Sequence, residues 1–139
     1  KGLPVYYTEW NACATFGAPG NDTRKIAAYD VRAALCAEDA LEGSSVWCFS
    51  DIFEELHPFP EEFHGGFGMM SQHGIPTPVY HALRLLNQAG DKRLELPGAL
   101  DGEVSVAAFR DAADTQLTVL ATKQNLHHFA GQSIPATPV

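Results

Sequence analysis

Leu3-Pro4-Val5-Tyr6-Tyr7-Thr8-Glu9-Trp10-Asn11 is the stretch on which the fold reading turns. Leu3, Val5, Tyr6 and Tyr7 make a short apolar run. Runs of this kind mark strands buried on both faces of a parallel sheet, where strict alternation is lost. The run ends in a carboxylate, Glu9, where a loop is due. Burying a carboxylate is costly unless it is paired or used. In a barrel of parallel strands, the polar residues at the C-terminal strand ends are where chemistry sits. Taken alone, the stretch fits an ordinary surface residue at a strand end equally well.

A second stretch shifts that balance. Ser45-Val-Trp-Cys-Phe49 reads as another short buried strand, running into Ser50-Asp51-Ile52-Phe53-Glu54-Glu55. Asp51, Glu54 and Glu55 follow this strand as Glu9 follows the first. Between the strands lies a helical pattern, with Asn21 or Asp22 as N-cap and Ile26, Tyr29, Ala33, Cys36 and Ala40 on one stripe. Gly43 is the expected stop. Strand, helix, strand of this length is a βαβ unit with parallel strands and a right-handed crossover. Both acidic strand ends then leave the same face.

Further along, Thr77 fits an N-cap and Pro78 the first helical position. Val79, Ala82, Leu83 and Leu86 form an apolar stripe, and Gly90 ends the helix. Beyond it the period changes to two. Residues 92–96, 103–109 and 116–122 read as strands, with turns at Asp101-Gly102 and at 111–114. The tail from Gly131 to Val139, with Pro135 and Pro138, reads as a linker or frayed end.

Composition excludes several classes. A formal charge of −8 argues against nucleic-acid or anionic-membrane partners. No apolar run is long enough to cross a membrane. Cys13, Cys36 and Cys48 are an odd number, placed in or beside expected core elements, so they read as free buried thiols. That favours a reducing, cytoplasmic setting over a secreted one. None of the six histidines stands at zinc-ligand spacing, so no metal is expected, and no cofactor motif is found. Gly65-Gly66-Phe67-Gly68 lacks the lysine of a phosphate loop and reads as a loop shaping a pocket rim. Trp10 and Trp47 fit either plain core or an aromatic binding platform, with Trp47 the stronger platform candidate.

These residues resemble the C-terminal part of glycoside hydrolase family 39, the family of β-xylosidases and α-L-iduronidases. The resemblance rests on Val5 to Asn11, on Val46 to Glu55, on Phe63-His-Gly-Gly-Phe-Gly-Met-Met70, on Gly74-Ile-Pro-Thr-Pro78 and on Leu85-Leu-Asn87. It covers roughly residues 1–90. It implies an α/β fold: the last two βα units of a (β/α)8 (TIM) barrel over residues 1–90, then strands of an accessory β-sandwich and a tail over 91–139. It implies Glu9 as the nucleophile of a retaining β-xylosidase, at the end of barrel strand seven. Trp47, Asp51, Glu54 and Glu55 become substrate-binding residues, and a xylose-containing oligosaccharide becomes the ligand. No Arg or Lys lies between Arg32 and Arg84. A uronic carboxylate would want such a partner, so a xyloside suits the chain better than an iduronide.

A (β/α)8 barrel needs about 200–250 residues, and this sequence has 139. The family's general acid/base is a Glu following an Asn, and no Asn-Glu pair occurs here. The chain therefore reads as a fragment. Its isolated form is expected to be inactive, and the apolar faces of Val5, Tyr7, Val46 and Trp47 await the remainder of the barrel or another chain. The alternatives are a non-catalytic half-barrel that binds sugar or a partner chain, and an α-L-iduronidase-like specificity.

Overall fold

The computed structural model describes residues 2–52 and 61–124. Seven elements follow in chain order: β1 (Tyr6–Trp10), α1 (Arg24–Ala37), β2 (Gly43–Val46), α2 (Pro78–Asn87), β3 (Lys92–Leu94), β4 (Val104–Arg110) and β5 (Leu117–Lys123). They make two sheets. β1 and β2 pair in parallel, and β3, β4 and β5 form an antiparallel sheet in that order.

The βαβ unit forms as its residues dictate, with shifted edges. β1 pairs with β2 at Tyr6–Gly43, Tyr7–Ser44 and Trp10–Val46, with an irregularity between Tyr7 and Trp10. Gly43 belongs to β2 and does not cap α1. A Cβ there would press on the Tyr6 ring at 3.3 Å. β2 ends at Val46, earlier than Phe49, and beyond it the chain finds a new neighbour. Cys48 N donates to Phe67 O, Met69 N to Cys48 O and Met70 N to Phe49 O, each within 3.0 Å. The Trp47–Cys48 peptide is cis.

α1 begins one or two residues later than expected. Its N-cap is Thr23, whose hydroxyl accepts from Lys25 N. Asn21 and Asp22 are engaged elsewhere: the Asn21 amide donates to Gly65 O at 2.8 Å, and the Asp22 carboxylate accepts from Gly65 N. The buried face is Ile26, Ala27, Asp30, Val31 and Leu35, rotated from the expected stripe. Cys36 is exposed, and Ala40 lies past the helix end. The thiols are correspondingly not core groups: all three are free, with Cys13 and Cys48 half-buried.

α2 keeps its expected start and stop. Thr77 is almost fully buried, and its hydroxyl donates to Met69 O at 3.0 Å instead of capping the helix. Gly90 has φ +133, and a Cβ there would meet Arg110 O at 2.6 Å. The helix stop is therefore also a close approach to β4. α1 and α2 pack on the inner face of the antiparallel sheet. Val31, Leu35, Ala89, Ala107 and Phe109 form one buried cluster; Ile26, Ala27 and Val79 form a second beside it. Arginines tie the layers: Arg32 donates to Leu100 O and Gly102 O, and Arg93 to Leu35 O and Glu38.

β1, whose composition is that of a buried strand, is open in this chain: Leu3 is 89% exposed and Tyr6 and Tyr7 are 58% and 55% exposed. Among the described residues β2 is its only strand partner, and Val5, Tyr7 and Trp47 stand exposed, as expected of faces that await further cover. The tail from Gly131 lies outside the described residues.

Candidate active site

Parallel pairing brings the ends of β1 and β2 out at one edge. Trp10 lies opposite Val46, and Trp47 N donates to Trp10 O at 2.8 Å. Asn11 closes the junction: its side-chain amide donates to Trp47 O, while its Oδ1 accepts from Ala12 N at 2.7 Å. Glu9 and Trp47 are thereby held on adjoining strand ends. Glu9 is exposed, and so is part of the Trp47 ring. A carboxylate open to solvent on one strand end and a partly open indole on the neighbouring one offer the polar and the apolar contacts that a sugar takes.

The second acidic strand end turns inward. Asp51 is 9% exposed, and its Oδ1 accepts from Gly68 N at 2.7 Å. Its own N–H donates to Met70 O at 2.9 Å. Residues 48–51 thus lie alongside residues 67–70, and Gly66 and Gly68 are required by that approach. A Cβ on Gly66 would run into the Asp51 carboxylate, and one on Gly68 into the Asp51 and Ser50 backbone. From the other side Asp22 holds Gly65 N, and Asn21 holds Gly65 O. The Gly65–Gly68 loop is clamped between the segments that follow β1 and β2. Phe16 packs edge-on against both His64 and Phe67, with centroids 5.4 and 5.2 Å away.

Burial pushes the Asp22 carboxyl above its usual range, opposed by the Gly65 hydrogen bond and aided by the nearby Asp51 charge. The Cys48 thiol is raised chiefly by burial, with Asp51 adding to it. Farther out, Glu62 pairs with His73, and hydrogen bonds from Ser71 and His73 lower its pKa. Among the described residues no group of three His, Cys, Asp or Glu side chains is placed to hold a metal. A shallow cleft lined by Leu35, Glu38, Glu42, Ser44 and Leu86 lies at the opposite end of the strands from Glu9. It brings no chemistry-bearing constellation to that end.

Of the candidate residues, Glu9 and Trp47 are brought to one junction, and Asp51 lies one loop away, beneath the glycines. Glu54 and Glu55 lie outside the described residues. Asn11, Asn21 and Asp22 were not anticipated as the residues that fasten this region. Asn11 was in view as part of Thr8-Glu9-Trp10-Asn11, but its partner stands 36 positions away.

Comparison with known proteins bears on the family of the chain. A sequence model of the family described as glycosyl hydrolases family 39 matches residues 1–134. A β-xylosidase of Caldicellulosiruptor saccharolyticus is 42% identical over 95 residues, which are 68% of this chain and 20% of that protein. A β-xylosidase of Geobacillus stearothermophilus is 38% identical over 111 residues, 80% of this chain and 21% of that protein. Among solved structures, a GH39 enzyme from Xanthomonas axonopodis pv. citri superposes with TM-score 0.69 at 32% identity, over 79% of this chain and 21% of its own. A GH39 β-xylosidase from Caulobacter crescentus gives TM-score 0.69 at 35% identity, over 80% and 24%. The chain spans about a fifth of the length of the curated relatives it matches. These neighbours come from a TIM-barrel enzyme family, and the elements described here are mixed α/β. On the match over residues 1–134 and on these identities, the chain belongs to glycosyl hydrolase family 39.

Proposed function

We propose that the chain is the nucleophile-bearing, C-terminal part of a retaining β-xylosidase. In this reading β1, α1, β2 and α2 are the last two βα units of a (β/α)8 barrel, over residues 1–90. β3, β4 and β5 are strands of an accessory sandwich over 91–139. The observation that carries the reading is the parallel pairing of β1 with β2. It sets Glu9 and Trp47 at the same strand edge, where barrels of this kind place their chemistry.

Glu9 attacks the anomeric carbon of a xyloside and forms a glycosyl-enzyme. A second carboxyl, from a part of the protein outside this chain, protonates the leaving oxygen and then takes a proton from water. For retention the two carboxyls stand about 5–5.5 Å apart. Trp47 offers its ring to the apolar face of the sugar. Asp51, Glu54 and Glu55 serve the substrate side, Asp51 from beneath the glycine loop whose backbone it already holds. An acidic surround and the lack of Arg or Lys between Arg32 and Arg84 suit a neutral sugar, hence a xylose-containing oligosaccharide.

The test is covalent capture in the natural polypeptide. A 2-deoxy-2-fluoro xyloside should leave its sugar on the peptide containing Glu9, read by mass spectrometry. A label on Asp51, Glu54 or Glu55, or none at all, would overturn the assignment.

A further inference from the structure

We propose that Asn11 is a positioning residue that ties the strand end carrying Glu9 to the strand end carrying Trp47. The inference rests on the reading of Glu9 as nucleophile. The β1–β2 ladder alone does not fix Glu9. Regular pairing is present at Tyr7–Ser44 and again at Trp10–Val46, and the register shifts between them. Thr8 and Glu9 fall in that shifted stretch and have no Cα partner of their own. Bulged stretches of this kind re-aim side chains and sit beside active sites.

What holds the stretch is the junction just after it. Trp47 N donates to Trp10 O, the Asn11 amide donates to Trp47 O, and Asn11 Oδ1 accepts from Ala12 N. Both ends of one short amide are used, one for the turn leaving β1 and one for the neighbouring strand. Asn is suited to this task. Asp has the same shape, but it would set a carboxylate oxygen against the Trp47 carbonyl, acceptor against acceptor. Ala and Ser cannot span the gap while still receiving Ala12 N, and Gln is a methylene too long. Glu9 lies two positions before Asn11, so a loosened junction lets the nucleophile drift while leaving the larger buried cluster of Val31, Leu35, Ala89, Ala107 and Phe109 untouched. Small misplacements of reacting groups are costly, since a shift of about 1 Å can lower a rate about 10²-fold.

The experiment compares Asn11→Asp and Asn11→Ala with the unaltered natural polypeptide. Three quantities are read: kcat and KM on an aryl xyloside, the rate of covalent capture by a 2-deoxy-2-fluoro xyloside, and the thermal unfolding midpoint. Both variants should lose about 10- to 100-fold in kcat and in capture rate. KM should stay within about threefold, and the midpoint should hold. Wild-type capture rates in both variants, with the label on Glu9, would overturn the role of Asn11 and leave the nucleophile assignment standing. A label elsewhere in the unaltered protein would overturn both. A fall of the unfolding midpoint in both variants, in step with activity, would also overturn it, since Asn11 would then hold the fold and not the nucleophile.

Discussion

β4 and β5 pair over seven consecutive residues, and the inner face of β4 is buried under two helices. β1 and β2 pair at three positions with a shift between them, and every β1 residue before Trp10 is exposed. The two sheets divide the work of the chain. Apolar burial, the main favourable term in folding, is concentrated where Val31, Leu35, Ala89, Ala107 and Phe109 meet. The candidate chemistry is concentrated where burial is least. In the proposed barrel only the strand end that carries Glu9 stays open to substrate, while the faces of β1 are covered.

The sharpest way to break this division is to change one residue on each side. Glu9→Gln in the natural polypeptide should lower kcat on an aryl xyloside on the order of 10⁴-fold, with the unfolding midpoint unchanged. Azide should partly restore turnover in Glu9→Ala by occupying the vacated position. Near-normal kcat in Glu9→Gln would return Glu9 to the role of a surface carboxylate. Phe109→Ala is the opposite case. Phe109 is 6% exposed within the larger cluster, and truncating it should cost about 3–5 kcal/mol, read as a lowered denaturant midpoint. Folded Phe109→Ala protein should keep its capture rate with the fluoro sugar. A large loss of rate there would show that the two regions are coupled.

Asp30 sharpens the comparison from within the stable region. It is fully buried on the inner face of α1, neither carboxylate oxygen has a hydrogen-bond partner among the described residues, and burial pushes its pKa up to about 7. In the unfolded chain the pKa is about 3.9. Between those values the folded protein holds a proton that the unfolded chain has released, so stability falls as pH rises. The stability is fully present below about pH 4 and is lost progressively up to about pH 7, at no more than about 1.4 kcal/mol per pH unit. Asp30→Leu should flatten that slope and raise the midpoint at pH 7 by an amount on the order of 1–4 kcal/mol, since an orphaned carboxyl gives way to an apolar group of similar size. An unchanged slope in Asp30→Leu would show that another group governs the pH dependence.

Asp30 also marks where the sequence was hardest to read. The helical period of α1 was visible, but a carboxylate on the buried face was not expected. The stripe was therefore placed on Tyr29, Ala33 and Cys36 instead of Asp30, Val31 and Leu35. The N-cap was misplaced for a related reason. Asn21 and Asp22 are good capping residues, yet both serve Gly65, more than 40 positions away. Signals confined to neighbouring residues were legible: Thr77-Pro78, Gly90 and the period-two strands stand within a residue or two of their expected places. So was the parallel pair of β1 and β2, because chain connectivity dictates it. Contacts between residues distant in the chain were not, and the fastening of the loop by Asn21, Asp22 and Asp51 consists of such contacts.

The smallest expected effect bears on the open sheet itself. Tyr7 is 55% exposed on β1. Replacing it with Ala in the 139-residue chain should change stability by no more than about 0.5 kcal/mol, the usual range for a surface position. In the natural polypeptide the proposed barrel would close over the same strand. There the change should cost about 3–5 kcal/mol, as truncation of a buried aromatic does. Equilibrium unfolding of the two proteins, each with and without the substitution, gives the four numbers needed. A cost above about 2 kcal/mol in the short chain would mean that β1 packs against its own residues. A cost near zero in both would leave β1 uncovered in the complete protein, and the barrel reading would lose its support. Only the unequal pair of costs fits a strand whose burial comes from residues beyond this chain.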